Sequence, residues 1–172
     1  LPSDKPQTIM TETDINPAAS LLRELIGRHL TVATAESCTG GNIAHLITAI
    51  PGSSEAMLGG IVSYANSAKE HLLGVSAATL AAHGAVSLPV VEQMACGACR
   101  AFGADIAMAT SGVAGPGGGT PGKPVGTVCI AVCYGGDVVS QTFHFSGDRG
   151  EVIDKASHEA LSMALCRLEQ TV

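Results

Sequence analysis

The chain has 172 residues, a net charge of −6, 46% hydrophobic and only 14% charged residues, which suits one domain with a sizeable core. It has no Trp, 3% aromatic residues and no Lys/Arg run, which argues against nucleic acid as a partner on both charge and base stacking. No charged n-region with an apolar h-region opens it, and no uninterrupted apolar stretch is long enough to span a bilayer. No membrane partner is therefore expected, and a cytoplasmic setting follows by default.

Residues 1–16 are polar, with Pro2, Pro6 and several Thr and Asp, and read as a flexible tail. Residues 17–172 read as a single domain. From Asn16-Pro17 to Arg28, Leu21, Leu22, Leu25 and Ile26 fall at helical spacing, with Pro early in the first turn. The β-prone run Leu30-Thr31-Val32-Ala33 then leads into Thr34-Ala35-Glu36-Ser37-Cys38-Thr39-Gly40-Gly41. Asn42 to Ile47 reads as helix until Pro51-Gly52 stops it. Ser37 is thus expected at a strand-to-helix junction. There a hydroxyl is exposed beside the unpaired N–H groups near Thr39, Gly40 and Gly41, and the glycines leave room for close approach of a ligand. A Ser/Thr cap followed by a tight turn would account for the same residues without function.

Met57 to Tyr64 reads as a strand. Asn66 is expected to cap a short helix from Ser67 to Leu73 that ends at Gly74. Lys69 falls in its first turn, where the helix dipole disfavours a cation; a surface lysine is the plain alternative. Ser76 to His83 reads as a small helix ended by Gly84. Ser87, with Pro89, opens another to about Phe102. Cys96-Gly97-Ala98-Cys99 lies mid-helix with no second ligand pair at metal spacing, and the six His show no H-E-x-x-H. The C-x-x-C is therefore read as core packing, the six Cys as reduced thiols, and no metal or cofactor is expected.

Asp105 to Thr110 reads as a buried strand. It opens into the glycine-rich loop Ser111 to Pro124, too long for a plain connector. Gly117, Gly122 and Lys123 nearly match a P-loop. The next residue is Pro124, however, and a β-rich run from Val125 to Val132 stands where a P-loop needs a helix, so an NTPase is rejected. The loop can still wrap a phosphate or ribose with backbone N–H groups. Gly135-Gly136 turns a hairpin into the strand Val138 to Phe145. Asp148 and Glu151 form a capping box for a closing helix carrying Ile153, Ala156, Ala160, Leu161, Ala164, Leu165 and Leu168. Arg149 projects from that helix's first turn, where a ligand anion would explain it and a surface arginine equally would.

Alternating strands and helices point to the α/β class: a three-layer α/β/α sandwich around a mixed, mostly parallel sheet of about five strands. Ligands in such sheets collect outside the carboxyl ends of the strands. Ser37, Lys69 and the Thr110–Lys123 loop each follow such an end; the direction of the last strand, before Arg149, is left open. A serine, a lysine and glycine-rich anion cradles suggest acyl transfer by a Ser/Lys pair. The lysine must be partly buried to be neutral enough to act as a base.

These residues resemble the C-terminal domain of the competence/damage-inducible protein CinA, which also occurs as a stand-alone nicotinamide-nucleotide amidohydrolase. The resemblance rests on Ala35 to Gly41, Gly60 to Lys69, Gly84 to Ser87, Thr110 to Gly118, Pro124 to Val128 and Gly147-Asp148-Arg149. It runs in order from about residue 17 to 170. It implies hydrolysis of the carboxamide of nicotinamide mononucleotide (NMN) to nicotinic acid mononucleotide and ammonia, within pyridine nucleotide recycling. By the same resemblance Ser37 is the catalytic serine and Lys69 the catalytic lysine. Cys38, Thr39, Gly40, Gly41, Tyr64, Asn66, Thr110, Ser111, Gly112 and Arg149 are the substrate-binding candidates, those near Cys38 to Gly41 through an oxyanion hole of backbone N–H groups. The resemblance also suggests a homodimer. Some relatives carry a further N-terminal domain resembling molybdopterin-binding proteins, so only the deamidase activity carries over. Three other readings stand beside it. Cys38 could be the nucleophile, although no His/Asn partner pattern is apparent. A penicillin-recognising enzyme would need S-x-x-K on one helical turn. The glycine loops could also serve a non-catalytic nucleotide-binding regulator.

Overall fold

In the computed structural model, which describes residues 16–171, the sheet is built around β1 (Val32–Glu36), all five residues of which are buried. This strand starts two residues later and ends three later than the β-prone run suggests. Its limits are set by pairing on both sides: Val32–Glu36 runs parallel to β2 (Met57–Val62) and to β3 (Ile106–Gly112). β3 then pairs antiparallel with β4 (Thr127–Tyr134), and β4 antiparallel with β5 (Asp137–His144). The strand order is β2-β1-β3-β4-β5. Four strands point one way and β4 alone is reversed, so the mixed five-stranded sheet stands as expected from the sequence. The proposed tail, residues 1–16, lies almost wholly outside the described residues.

Helices cover both faces. α1 (Pro17–Gly27), α2 (Asn42–Thr48) and α6 (Arg149–Glu169) lie on one. Here Leu21, Leu25, Ile43, Ile47, Leu161 and Leu168 pack on Val32, Ile106, Met108, Val128, Ile130 and Val132. On the other face are α3 (Asn66–Leu73), α4 (Ala77–His83) and α5 (Leu88–Phe102). There Leu73, Val90, Val91 and Met94 pack on Ala33, Ala35, Ala107, Ala109 and Ala131. Along the inner strands β3 and β4 the alternation is thus largely between large residues on one face and small ones on the other, as a sheet covered on both faces requires. Each fully buried Leu, Ile or Met contributes about 1.5–3 kcal/mol relative to exposure.

Local signals mostly hold. Asn16 caps α1 by accepting from the N–H groups of Ala18 and Ala19, Ser76 caps α4 and Asp148 caps α6. Asn66 is a correction: it is the first residue of α3 rather than its cap, which is Ala65, with no side-chain bond. Ser87 stands at the cap of α5 but donates its hydroxyl to Gly84 O instead. The helix α5 sits close enough to α3 that Gly97 faces the Leu73 carbonyl, with which a Cβ would clash.

Candidate active site

Because β5 runs in the same direction as β1, β2 and β3, the segments following all four strands meet at one rim. This places Arg149 at the same rim as Ser37 and Lys69, which sequence left undecided. Ser37 follows β1 directly and is 8% exposed, its N–H donated to Thr110 O at 3.0 Å. The chain turns through Gly40 and Gly41, both in the left-handed region at φ +60° and +99°, which side-chain-bearing residues rarely adopt. Lys69 reaches the same point from α3.

Lys69 is 1% exposed, among the largest fully buried side chains of the protein. Its Nζ lies 3.1 Å from Ser37 Oγ and donates to the carbonyl oxygens of Ser63 at 2.7 Å and Tyr64 at 3.2 Å. No carboxylate is paired with it among the described residues. Burial pushes its pKa down from 10.5, with the Cys38 sulfur acting weakly the other way. A neutral amine has two N–H donors and one lone pair. The two carbonyls take the donors, and the lone pair is left for the serine O–H. The charged amine would donate to all three oxygens, so both protonation states fit one geometry.

Cys38 adjoins Ser37 but packs among core residues of the α1/α2/α6 face. Burial pushes its thiol up to about 12, so almost no thiolate exists near neutral pH. The geometry therefore disfavours the cysteine-nucleophile reading, and any contribution of Cys38 to binding is through its backbone. Thr39 and Thr110 are likewise interior, their hydroxyls 2.7 Å apart. Ser111 is buried in β3, and Gly112 packs so tightly on Thr127 and Val128 that a Cβ would meet them at 2.7 Å. These four support the rim from within rather than facing open space.

At the exposed end, Tyr64 is 62% exposed and accepts a hydrogen bond at 3.1 Å from Arg149 Nη2. Arg149 Nη1 donates to Gly115 O at 2.7 Å. Arg149 lines an open cavity of about 670 Å³ with Ala114, Pro116, Val125, Gly147 and Asp148. Asn66 is exposed at the start of α3 and makes no side-chain hydrogen bond among the described residues. Tyr64 ties the two ends together, since its carbonyl holds Lys69 and its hydroxyl holds Arg149.

Lys123, the lysine of the near P-loop, donates instead to His83 O at 2.8 Å, the C-terminal end of α4. It straps the glycine loop down where a cation suits the helix dipole. Cys96 and Cys99 pack beside Cys133, with a Cys96–Cys133 sulfur contact of 3.3 Å, and burial raises all three thiols. Among the described residues no group of three or more His, Cys, Asp or Glu could hold a metal ion, and no helix is long and apolar enough to cross a membrane.

The residue overlooked from sequence is Glu36. It ends a strand otherwise wholly apolar or hydroxylic, and it is buried. An acid at such a position must find donors, which is the signal that could have singled it out. The carbonyls of Ser63, Tyr64 and Gly115 carried no such signal, because a main-chain oxygen is the same in every residue.

The model of the CinA C-terminal domain matches residues 15–168. The chain belongs to the CinA C-terminal domain family. A CinA-like protein of Mycolicibacterium gilvum is 52% identical over 140 residues, covering 81% of this chain and 33% of the relative. One from Chlorobaculum tepidum is 49% identical over 151 residues, covering 85% and 36%. The chain thus spans about a third of the length of the curated relatives it matches. Among solved structures, a competence-damaged protein (CinA) superfamily protein of Klebsiella pneumoniae superposes with a TM-score of 0.87 at 39% identity, covering 90% of this chain and 96% of that one. The competence/damage inducible protein CihA of Agrobacterium tumefaciens gives 0.83 at 40% identity, covering 93% and 99%. The open five-stranded CinA sheet with helices on both faces is therefore shared over nearly the whole of those structures.

Proposed function

We propose that this CinA domain is an amidohydrolase that cleaves the carboxamide of NMN, giving nicotinic acid mononucleotide and ammonia through a Ser37/Lys69 acyl-enzyme. The observation that carries this reading is the buried Lys69 amine, 3.1 Å from Ser37 Oγ, with no acidic partner among the described residues and two carbonyls holding its N–H groups. A carboxamide is a weak electrophile, so attack needs an activated hydroxyl and donors for the oxyanion.

In the first half-reaction the Ser37 proton passes to Lys69 as Oγ bonds to the carboxamide carbon. The carbonyl oxygen takes the negative charge, facing the backbone N–H groups of the Cys38–Gly41 turn. Lys69 returns the proton to the leaving nitrogen, the C–N bond breaks and ammonia departs, leaving a serine ester. In the second half-reaction water attacks the ester, its proton going to Lys69 and then back to Ser37 Oγ. Arg149, exposed at the far end of the same rim, is assigned to the 5′-phosphate, and the open cavity beside it gives that group room. Tyr64 and Asn66, both exposed, are assigned to the ribosyl and pyridine portion. The homodimer suggested by the family resemblance and the cytoplasmic setting expected from the sequence stand as part of the same proposal.

The test is ammonia release from NMN by purified protein, with product identified by mass. Stoichiometric release that stops at one turnover with a serine ester on Ser37 would still support the acyl-enzyme. Thermal stabilisation by NMN with no ammonia would establish instead a nucleotide-binding regulator built on the same fold.

A further inference from the structure

Glu36 is 1% exposed and sits one residue before Ser37. Its Oε1 accepts from Thr39 Oγ1 at 2.7 Å and Ile43 N at 2.9 Å, and its Oε2 accepts from Ala44 N at 3.1 Å. Thr39 has one hydroxyl proton, which goes to the acid, so its 2.7 Å contact with Thr110 is donated by Thr110. The main chain of Glu36 also accepts from Ser63 N at 2.8 Å, and the next atoms of Ser63 hold Lys69. Glu36 does not itself reach Lys69, whose Nζ partners are Ser37 Oγ and two carbonyls. It is not the lysine's counter-ion.

Its effect is on which amides remain open. The cap of α2 is Gly41, which has no side chain to satisfy the first N–H groups of the helix, and such groups ordinarily attract a ligand anion. Here Glu36 occupies those of Ile43 and Ala44. Gly40 N is donated to Ser37 O and Asn42 N to Thr39 O. Among the described residues no oxygen takes the N–H groups of Cys38, Thr39 or Gly41.

We propose that Glu36 is a positioning residue for the oxyanion donors. It closes the α2 terminus to substrate, pins the Ser37–Gly41 turn through Thr39, and so assigns charge stabilisation to the amides of that turn. The inference rests on the acyl-enzyme reading above. Its contribution falls on the transition state, where charge develops, and not on ground-state binding.

The experiment uses two readouts on the full chain. The first is the rate at which a fluorophosphonate labels Ser37, which needs an activated serine and oxyanion donors but no assumption about NMN. The second is kcat and KM for ammonia release. Glu36→Gln keeps one acceptor oxygen but turns an NH2 toward a backbone N–H. It is expected to slow labelling and lower kcat by about ten- to a hundredfold, with KM within about threefold and the pH profile assigned to Lys69 unmoved. Should Glu36→Gln not fold, Thr39→Val and Thr39→Ser carry the test: loss with Val and rescue with Ser are expected. Folded Glu36→Gln labelling at the wild-type rate overturns the proposal. So does Thr39→Val at the wild-type rate, or a loss confined to KM. Wild type that labels at Ser37 but releases no ammonia from NMN would refute the substrate reading alone, with labelling still deciding the role of Glu36. Wild type that does not label at all would overturn both.

Discussion

The two ends of the rim are built on opposite terms. At one, Ser37 and Lys69 are 8% and 1% exposed, and among the described residues every partner of the lysine amine is a main-chain carbonyl or the serine itself. At the other, Tyr64 is 62% exposed and Arg149 stands open beside a cavity of about 670 Å³. Under the proposed function the contrast follows from what each end would do. A base must shed its proton, which needs a dry site and no carboxylate. An arginine that recognises an anion must stay reachable and present its planar fork of donors.

The strongest way to break this comparison is at the buried end. Ser37→Ala should fold, bind NMN and lose about three or more orders of magnitude in kcat, because covalent catalysis disappears. Cys38→Ala beside it should keep most of its turnover, since that thiol faces the core. A dead, folded Cys38 variant with an active Ser37 variant would assign the chemistry to the sulfur.

Next is Lys69. Lys69→Arg keeps a charge that cannot be shed, so it should be nearly as inactive as Lys69→Ala; an Arg variant within about tenfold of wild type would make the lysine an electrostatic anchor instead. In wild type kcat/KM should rise with pH as Lys69 loses its proton. Stability carries the same signature. The folded pKa is depressed below 10.5, so between the two values the unfolded chain binds more protons and stability rises with pH. Lys69→Met should lose that slope in melting experiments across the same window.

At the exposed end the expected effect is smaller and selective. Arg149→Ala should lower kcat/KM for NMN by about ten- to a hundredfold, the range for a charged hydrogen bond. It should barely change use of nicotinamide riboside, which has no phosphate. Equal losses with both substrates would remove Arg149 from the phosphate site and weaken the division of the rim. Smallest of all, Lys123→Ala should leave kcat within about threefold and cost about 0.3–1 kcal/mol of stability, as a strap at a helix C-terminus would. A large loss of activity would return the glycine loop to phosphate binding.

Much of the fold was legible in the sequence because periodicity and punctuation act over short distances. Leu21, Leu22 and Leu25 at helical spacing, Gly74 and Gly84 after their helices and Gly135-Gly136 between two strands each specify a local geometry whatever surrounds them. Ser37 and Lys69 were legible through their motifs. Where local chemistry and long-range pairing compete, the outcome belonged to the fold. Asn66 is a good capping residue, yet the chain entering from β2 starts α3 one residue earlier. Leu30 is β-prone, but pairing with β2 and β3 begins at Val32. Other features had little or no local trace. The direction of β5, and with it the place of Arg149, depends on hydrogen bonds between strands distant in sequence. The lowered pKa of Lys69 depends on the layers that exclude water from it, and the place of its amine on the Ser63 and Tyr64 carbonyls, which no side-chain pattern encodes. Glu36 reads in sequence as a polar residue near a turn. Only its burial against the start of α2 turns it into the acceptor for two helix amides and the Thr39 hydroxyl.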